Sequence, residues 1–458
     1  MTIQSGVTTE LTPDAHAREL RRAVVAATVG TTIEWYDFLL YSTMAGLVFA
    51  KLFFPNEDPL TGTLSAFGIY FVGFLARPIG AFIFGHYGDR VGRKSTLIFT
   101  LVLMGVSTFL VAILPGYDSI GIWGAVILTV LRLVQGIGVG GEWGGSVLLT
   151  MEWARHNNER GFLTSWPQFG GPAGLFLANL AVLAFSQMSG DAFYAWGWRV
   201  PFALSLVLVA IGLWIRLRIL ETPVFRKLVL EQKIERAPIV EVLRKQPGAI
   251  IAGMFARTSE QAPFYIFTAF IFFYGTGTLH VSRDLLLTGV LCAVVVSAIT
   301  IPLSGHISDR IGRKRMYIIG AATMGVFGFI YFGLLDTGNP VLIFLAMVLS
   351  LIPHDMQYGP QAALIAESFT PRLRYSGASI GYQLSSVFAG GPAPLIAVAL
   401  FSAYHTGMAV AGYILACAII TLIAASLMRE RAGVDISQEF GEQDADLLPS
   451  QLVARHAP

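Results

Sequence analysis

Apolar runs long enough to cross a membrane alternate with short polar turns down almost the whole chain. Twelve such runs are centred in residues 23–50, 62–88, 95–115, 121–150, 160–187, 196–219, 248–276, 285–307, 315–335, 340–366, 376–401 and 407–429. An α-helix of ~20 residues spans the ~30 Å hydrocarbon core of a bilayer. Backbone groups in lipid must bond internally, so only helices or a closed barrel can cross. Unbroken apolar runs lack the alternation of barrel strands. The pattern predicts an all-α integral membrane protein with twelve transmembrane helices.

The pattern repeats. Residues 85–94 read GHYGDRVGRK and residues 305–314 read GHISDRIGRK, identical at seven of ten positions and offset by 220. GGPA at 170–173 returns as GGPA at 390–393, at the same offset. A charged turn and a Gly-Pro break repeated at one offset predict two pseudo-symmetric six-helix bundles, an architecture typical of transporters. The expected organisation is a tail over 1–22, a bundle over 23–220, a linker over 221–247, a second bundle over 248–430 and a polar, disordered tail over 431–458. The Gly-Pro elements are expected to weaken or kink spans 5 and 11. Glycines at four-residue spacing, such as Gly136, Gly140 and Gly144, suit close helix packing.

Composition agrees with a membrane location: 13% of residues are charged, well below the ~25% usual in soluble domains. Of 31 Lys and Arg, 25 fall in the two tails, the even-numbered turns and the middle loop. Lys51, Arg199 and Arg283 fall on the other side, and Arg77, Arg132 and Arg257 lie inside spans. That asymmetry places both termini and the middle loop in the cytoplasm. A net charge of +2 argues against a nucleic-acid partner. Cys292 and Cys417 both lie inside spans and supply no disulfide or metal framework. Residues 1–22 show no removable signal. Neither a nucleotide loop, nor ligand spacing for a metal, nor a nucleophile–base pair stands out, so no cofactor and no enzymatic activity are expected.

Four segments carry a family likeness. GHYGDRVGRK resembles the signature turn of the major facilitator superfamily, and RLVQGIGVGGEWGG (132–145) resembles that superfamily's fourth-helix motif. With IEWYDFLLY (33–41) and WGWRVPF (196–202), the chain looks like the metabolite:proton symporter branch. The likeness covers about 23–430 and implies the major facilitator fold in a bacterial inner membrane, working as a monomer. It implies as substrate a small organic acid such as shikimate, 2-oxoglutarate or citrate, or alternatively proline or betaine. GEWGG (141–145) is most like shikimate-type members. The short tail after 431 lacks the heptads common in osmolyte carriers of the branch.

An ionisable side chain at mid-bilayer costs about 3 kcal/mol or more, so those present are functional candidates. Glu34 and Asp37 lie in span 1, Arg77 in span 2, Arg132 and Glu142 in span 4, Arg257 and Glu260 in span 7, His354 and Asp355 in span 10. Helical spacing puts Glu34, Asp37 and Tyr41 on one face, and likewise Arg132, Gln135 and Glu142. Arg257, Glu260 and Phe264 share a third face, and His354, Tyr358 and Gln361 a fourth. The likeness implies that spans 1, 4, 7 and 10 line the cavity. It also implies a proton switch in which Asp37 of span 1 pairs with Arg132 of span 4; Glu34 is the alternative carrier. A static pair fixing the two spans would use the same residues. Arg77 and Arg257 suit substrate carboxylates, because guanidinium grips carboxylate in a bidentate fork. They can equally pair with Glu34, Glu260 or Asp355. His354 can relay protons or serve as a fixed donor. Gln168, with Tyr41, Tyr358 and Gln361, can orient polar substrate groups or simply join helices.

The repeated turns suggest a latch. Asp89, Arg90 and Arg93 of the first turn, with Glu152 and Arg160, are matched by Asp309, Arg310, Arg313, Glu367 and Arg374 in the second half. In the superfamily such groups form a cytoplasmic ion-pair network that holds the outward-open state. Basic turns alone would serve topology, but retention inside needs no aspartate. The leading expectation is a proton-driven symporter importing a small acid by alternating access. A uniporter or antiporter of the same fold is the near alternative, and a non-transporting membrane sensor belongs to a different class.

Overall fold

The computed structural model describes residues 12–154, 159–218, 220, 222 and 238–434. Most of the expected middle loop and C-terminal tail lies outside the described residues. The described chain is helical throughout, in twelve rods. The first half holds α1 (Pro13–Met44), α2 (Pro59–Arg90), α3 (Arg93–Ala112), α4 (Trp123–Met151), α5 (Arg160–Ser189) and α6 (Arg199–Leu217). The second holds α7 (Pro247–Ala256, resuming as Thr258–Tyr265 and ending with Ile271–Gly277), α8 (Arg283–Ile311), α9 (Arg313–Leu335), α10 (Pro340–Ala366), α11 (Arg374–Tyr404) and α12 (Gly407–Leu427). Ten of these rods are long and apolar enough to cross a membrane. The more polar α1 and the interrupted α7 complete the twelve.

Local chemistry sets the helix ends. Thr12 caps α1 by accepting the Ala15 N–H at 3.3 Å, with Pro13 and Asp14 in the first turn. Helix therefore begins well before the apolar run at 23. Asn339 and Thr406 cap α10 and α12 in the same way. The two repeated turns pivot on Gly92 at φ 120° and Gly312 at φ 98°, a region closed to other residues without strain. That requirement accounts for glycine at the same place in both repeats.

The halves meet along α2 with α11 and α5 with α8, and α10 also packs on α5. Glycine lets backbones approach: a Cβ on Gly174 of α5 would meet the Tyr36 nitrogen at 2.6 Å and the Thr32 oxygen at 2.7 Å, both on α1. α5 stays helical through Pro167 and Pro172, whereas α11 loosens into a π-turn at Ser386–Gly390 and leaves helix at Gly391 and Pro392. Large apolar side chains such as Phe99, Ile299, Val326 and Phe388 are exposed around the outside, as lipid contact requires.

Candidate functional site

Among the described residues, eight arginines are fully buried: Arg77, Arg93, Arg132, Arg160, Arg216, Arg257, Arg313 and Arg374. Buried charge must be paired or made useful, so their partners define the site.

At the centre, Arg257 of α7 bonds Glu260 one turn on, Nη2 to Oε1 at 2.7 Å, and donates to the Tyr382 carbonyl of α11. Its guanidinium lies 3.2 Å from the centre of the Tyr382 ring, and Tyr382 stacks on Trp143 of α4 at 3.7 Å. This stack joins the two halves. Above it is a small cavity of about 10 Å³, room for one water, edged by Trp35, Arg257, Glu260, Phe264, His354 and Tyr358. A larger cavity of 340 Å³, reaching Ser42, Thr43, Asn179, Thr268 and Thr276, lies between the halves on the side away from the repeated turns.

Across from Arg257, Arg77 of α2 makes one long hydrogen bond, Nη1 to Ser386 Oγ of α11 at 3.4 Å. Gln261 Nε2 reaches the same hydroxyl at 2.9 Å. The Arg77 guanidinium sits 4.0 Å from the Phe38 ring and 4.4 Å from the Phe74 ring, and its Nε and Nη2 find no hydrogen-bond partner. Arg77 forms no ion pair among the described residues.

Asp37 and Arg132 lie in each other's electrostatic reach, but no ion pair joins them. Among the described residues neither Asp37 oxygen makes a hydrogen bond of ordinary geometry, although the Thr108 hydroxyl is near enough to act on it. Arg132 donates to Gln135 at 3.0 Å and rests on the rings of Phe38, Tyr41 and Tyr70, at 3.9, 4.5 and 4.9 Å. Glu34 is also buried with one oxygen unbonded, close enough to feel Glu142, Arg77 and Arg216. His354 edges the small cavity, its Nδ1 bonded to Asp355 at 2.9 Å and its ring against Phe264 and Tyr358.

Several expected cavity residues turn elsewhere. Glu142 faces into the first bundle, where it pairs with Arg216 of α6 and accepts the Thr100 hydroxyl of α3 at 2.8 Å. Gln135 edges neither of the two cavities described above. It links Arg132 to Thr108 of α3. Asp355 points to Thr300 of α8 and holds His354 from behind. Gln168 and Gln361 bond one another across the halves at 3.3 Å, and Trp143 donates to Gln168 at 2.8 Å. These shifts share a cause: a helix shows several faces, and neighbouring helices compete for each polar group. Arg216 carries no such signal in the sequence, because it sits in the basic end WIRLRIL of span 6. Gln261 was legible as the residue one turn beyond Arg257.

The end bearing the repeated turns is closed across the halves. Asp309 accepts the N–H groups of Gly161 and Phe162, at 2.9 and 2.8 Å, in the first turn of α5. Asp89 accepts the N–H and hydroxyl of Ser376, at 3.0 and 2.8 Å, in the first turn of α11. Each motif aspartate thus caps a helix start in the opposite half, where the helix dipole favours negative charge. Arg93 holds Asp89 and Glu152, both at 3.4 Å. Glu367 sits between Arg160 at 3.3 Å and Arg313 at 3.0 Å. Burial pushes the Glu367 carboxyl above its ordinary range, and the two guanidiniums pull against that. Arg374 donates to the Ala366 and Phe369 carbonyls. Arg90 and Arg310 point outward to solvent, and Arg90 meets His86 at 3.0 Å.

Two helical bundles enclosing a polar, charge-lined cavity that is sealed at one end define a membrane transporter. The chain belongs to the Major Facilitator Superfamily, whose family model matches residues 29–391 and 290–457. It is 41% identical to the shikimate transporter of Escherichia coli (strain K12), over 90% of this chain and 94% of that one. It is 32% identical to the proline/betaine transporter of the same organism, over 90% of this chain and 84% of that one. A solved structure of the proton:xylose symporter XylE bound to 6-bromo-6-deoxy-D-glucose shares the fold, with a TM-score of 0.75 at 18% identity, covering 92% of this chain and 98% of that chain.

Proposed function

We propose that this transporter is a proton-coupled symporter that carries a small organic acid of shikimate or di- and tricarboxylate type into the cell by alternating access. The observation that supports this reading most directly is Arg77, a fully buried cation with two unbonded nitrogens and no ion-pair partner among the described residues. A substrate carboxylate would supply the missing counter-charge in a bidentate fork. Arg257 is already matched by Glu260 and acts second, once that pair opens. His354 and Tyr358 at the cavity edge would take substrate hydroxyls or carbonyls. The 41% identity to a shikimate transporter favours an acid over the zwitterions of the osmolyte carriers.

Proton coupling falls to Asp37, with Glu34 beside it. A carboxylate without partners in apolar surroundings favours the protonated form, and contact with Arg132 favours the charged form. Rocking that opens and closes this pair would load and release a proton.

The test is uptake into proteoliposomes under an inward proton gradient, with shikimate, 2-oxoglutarate, citrate, proline and betaine offered singly, each with and without uncoupler. Accumulation of one acid that collapses with uncoupler is expected. Uptake of the zwitterions alone would reassign the chain to osmolyte transport.

The basic end is the cytoplasmic gate in this proposal, with both termini on that side, and the contacts that cross the halves there support an arrangement closed toward the cytoplasm. Asp89→Asn keeps an acceptor for Ser376 but removes the charge facing the α11 dipole and Arg93. The loss is about 1–2 kcal/mol, roughly 5- to 30-fold in the ratio of closed to open gate. Thiol labelling of a cysteine placed beneath the gate should speed up accordingly. Unchanged labelling would remove Asp89 from the latch.

A further inference from the structure

A wide groove lies away from the transport path, on the flank of the basic end between the start of α1 and the end of α6. It encloses 680 Å³ and is walled by Arg18, Arg21, Arg22, Val25, Trp214, Ile215 and Arg218. We propose that it is a binding site for the headgroup of an anionic phospholipid.

Charge is the first argument. Arg18, Arg21 and Arg22 follow one another at helical spacing and, with Val25, form one stripe down α1. Arg218 closes the opposite wall, its guanidinium 3.9 Å from the centre of the Trp214 ring. Arg22 is neutralised by Glu19 at 2.6 Å, but Arg18, Arg21 and Arg218 make no ion pair among the described residues, and the groove itself holds no acidic side chain. Three uncompensated guanidiniums around one hollow attract a phosphodiester.

Position is the second argument and decides between a lipid and a free phosphate. The groove lies where the apolar part of α1 begins, and its floor is apolar rather than polar. Val25 and Trp214 are 46% and 55% exposed, and the apolar surface continues along α6 through Ile211 and Leu217, at 47% and 57%. A soluble anion has no use for that surface. An acyl chain lies along it while the headgroup stays among the arginines, with Trp214 at the interface between the two. The site also adjoins a working part of the fold, since Arg216, two residues before Arg218, reaches inward to Glu142.

The test uses the intact protein in vesicles of phosphatidylcholine containing rising fractions of phosphatidylglycerol brominated near the headgroup. Quenching of the Trp214 component is read as the difference between the wild type and Trp214→Phe. Half-quenching is expected at a fraction of phosphatidylglycerol far below that for brominated phosphatidylcholine. Each arginine near a surface contributes about fivefold in partition, so Arg18→Gln, Arg21→Gln and Arg218→Gln together should weaken the preference on the order of a hundredfold. The thermal midpoint of that triple variant in pure phosphatidylcholine should be unchanged, which separates lost binding from lost folding. Equal quenching by both lipids would overturn the site, as would preference surviving in the triple variant. Quenching by neither lipid would mean that the chain's own segment after Arg218 fills the groove. Reversal by millimolar glycerol phosphate would reassign the site to a soluble anion.

Discussion

Asp37→Asn should abolish uphill accumulation while sparing exchange. Asn keeps the volume and some hydrogen bonding of Asp but cannot take up or release a proton. Under an inward gradient of one pH unit, a carrier moving one proton with each substrate concentrates it about tenfold. The variant should bring the internal level only to the external one. Counterflow of labelled against unlabelled substrate needs no net proton movement and should continue. The comparison is made in proteoliposomes with both assays on one preparation. Gradient-driven accumulation at the wild-type level would take Asp37 out of the coupling and turn attention to Glu34, which is also buried with an unbonded oxygen. Loss of both accumulation and counterflow would make the residue structural.

Arg216→Met should destabilise the first bundle more than any change at the surface. The side chain is 1% exposed, pairs with Glu142 and donates to the Leu97 carbonyl, tying α6 to α4 and α3. Removing it leaves Glu142 buried with only hydroxyl partners from Thr100 and Ser146. Breaking a buried pair from one side costs about 3–5 kcal/mol. Replacing both members costs far less, because no uncompensated charge remains. The double variant Arg216→Met with Glu142→Gln should therefore recover most of the lost thermal midpoint in detergent. A single variant as stable as the wild type would mean that Glu142 is satisfied without its arginine.

The two expectations rest on different kinds of legibility. Asp37 was readable as a candidate because a carboxylate inside an apolar run is costly and therefore conspicuous. Arg216 was not, because an arginine near the end of a span looks like an ordinary membrane-boundary cation. Its burial follows from Gly30 of α1: a Cβ there would collide with the Arg216 guanidinium, so the glycine makes room for it. No pattern within α6 contains that information.

What the sequence determined by itself is the class and its doubling. Apolar run length requires membrane helices, and one ten-residue turn written twice requires two related halves. The two glycines of those turns, Gly92 and Gly312, follow from backbone geometry alone. The sequence also narrowed the central site to a handful of charged residues on α1, α2, α4, α7 and α10. The tertiary structure decided which neighbour each of them faces. Helical periodicity groups Arg132, Gln135 and Glu142 on one side of α4, yet Arg132 rests on the aromatic rings of α1 and α2 while Glu142 turns to α6. The motif aspartates keep the expected ion pairs, Asp89 with Arg93 and Asp309 with Arg313, and also reach N–H groups at the starts of α11 and α5 in the opposite half. Spacing along one helix fixes only relative angle. The partner is set by how twelve helices pack, because a buried charge goes to whichever donor or acceptor the packing brings within bonding distance.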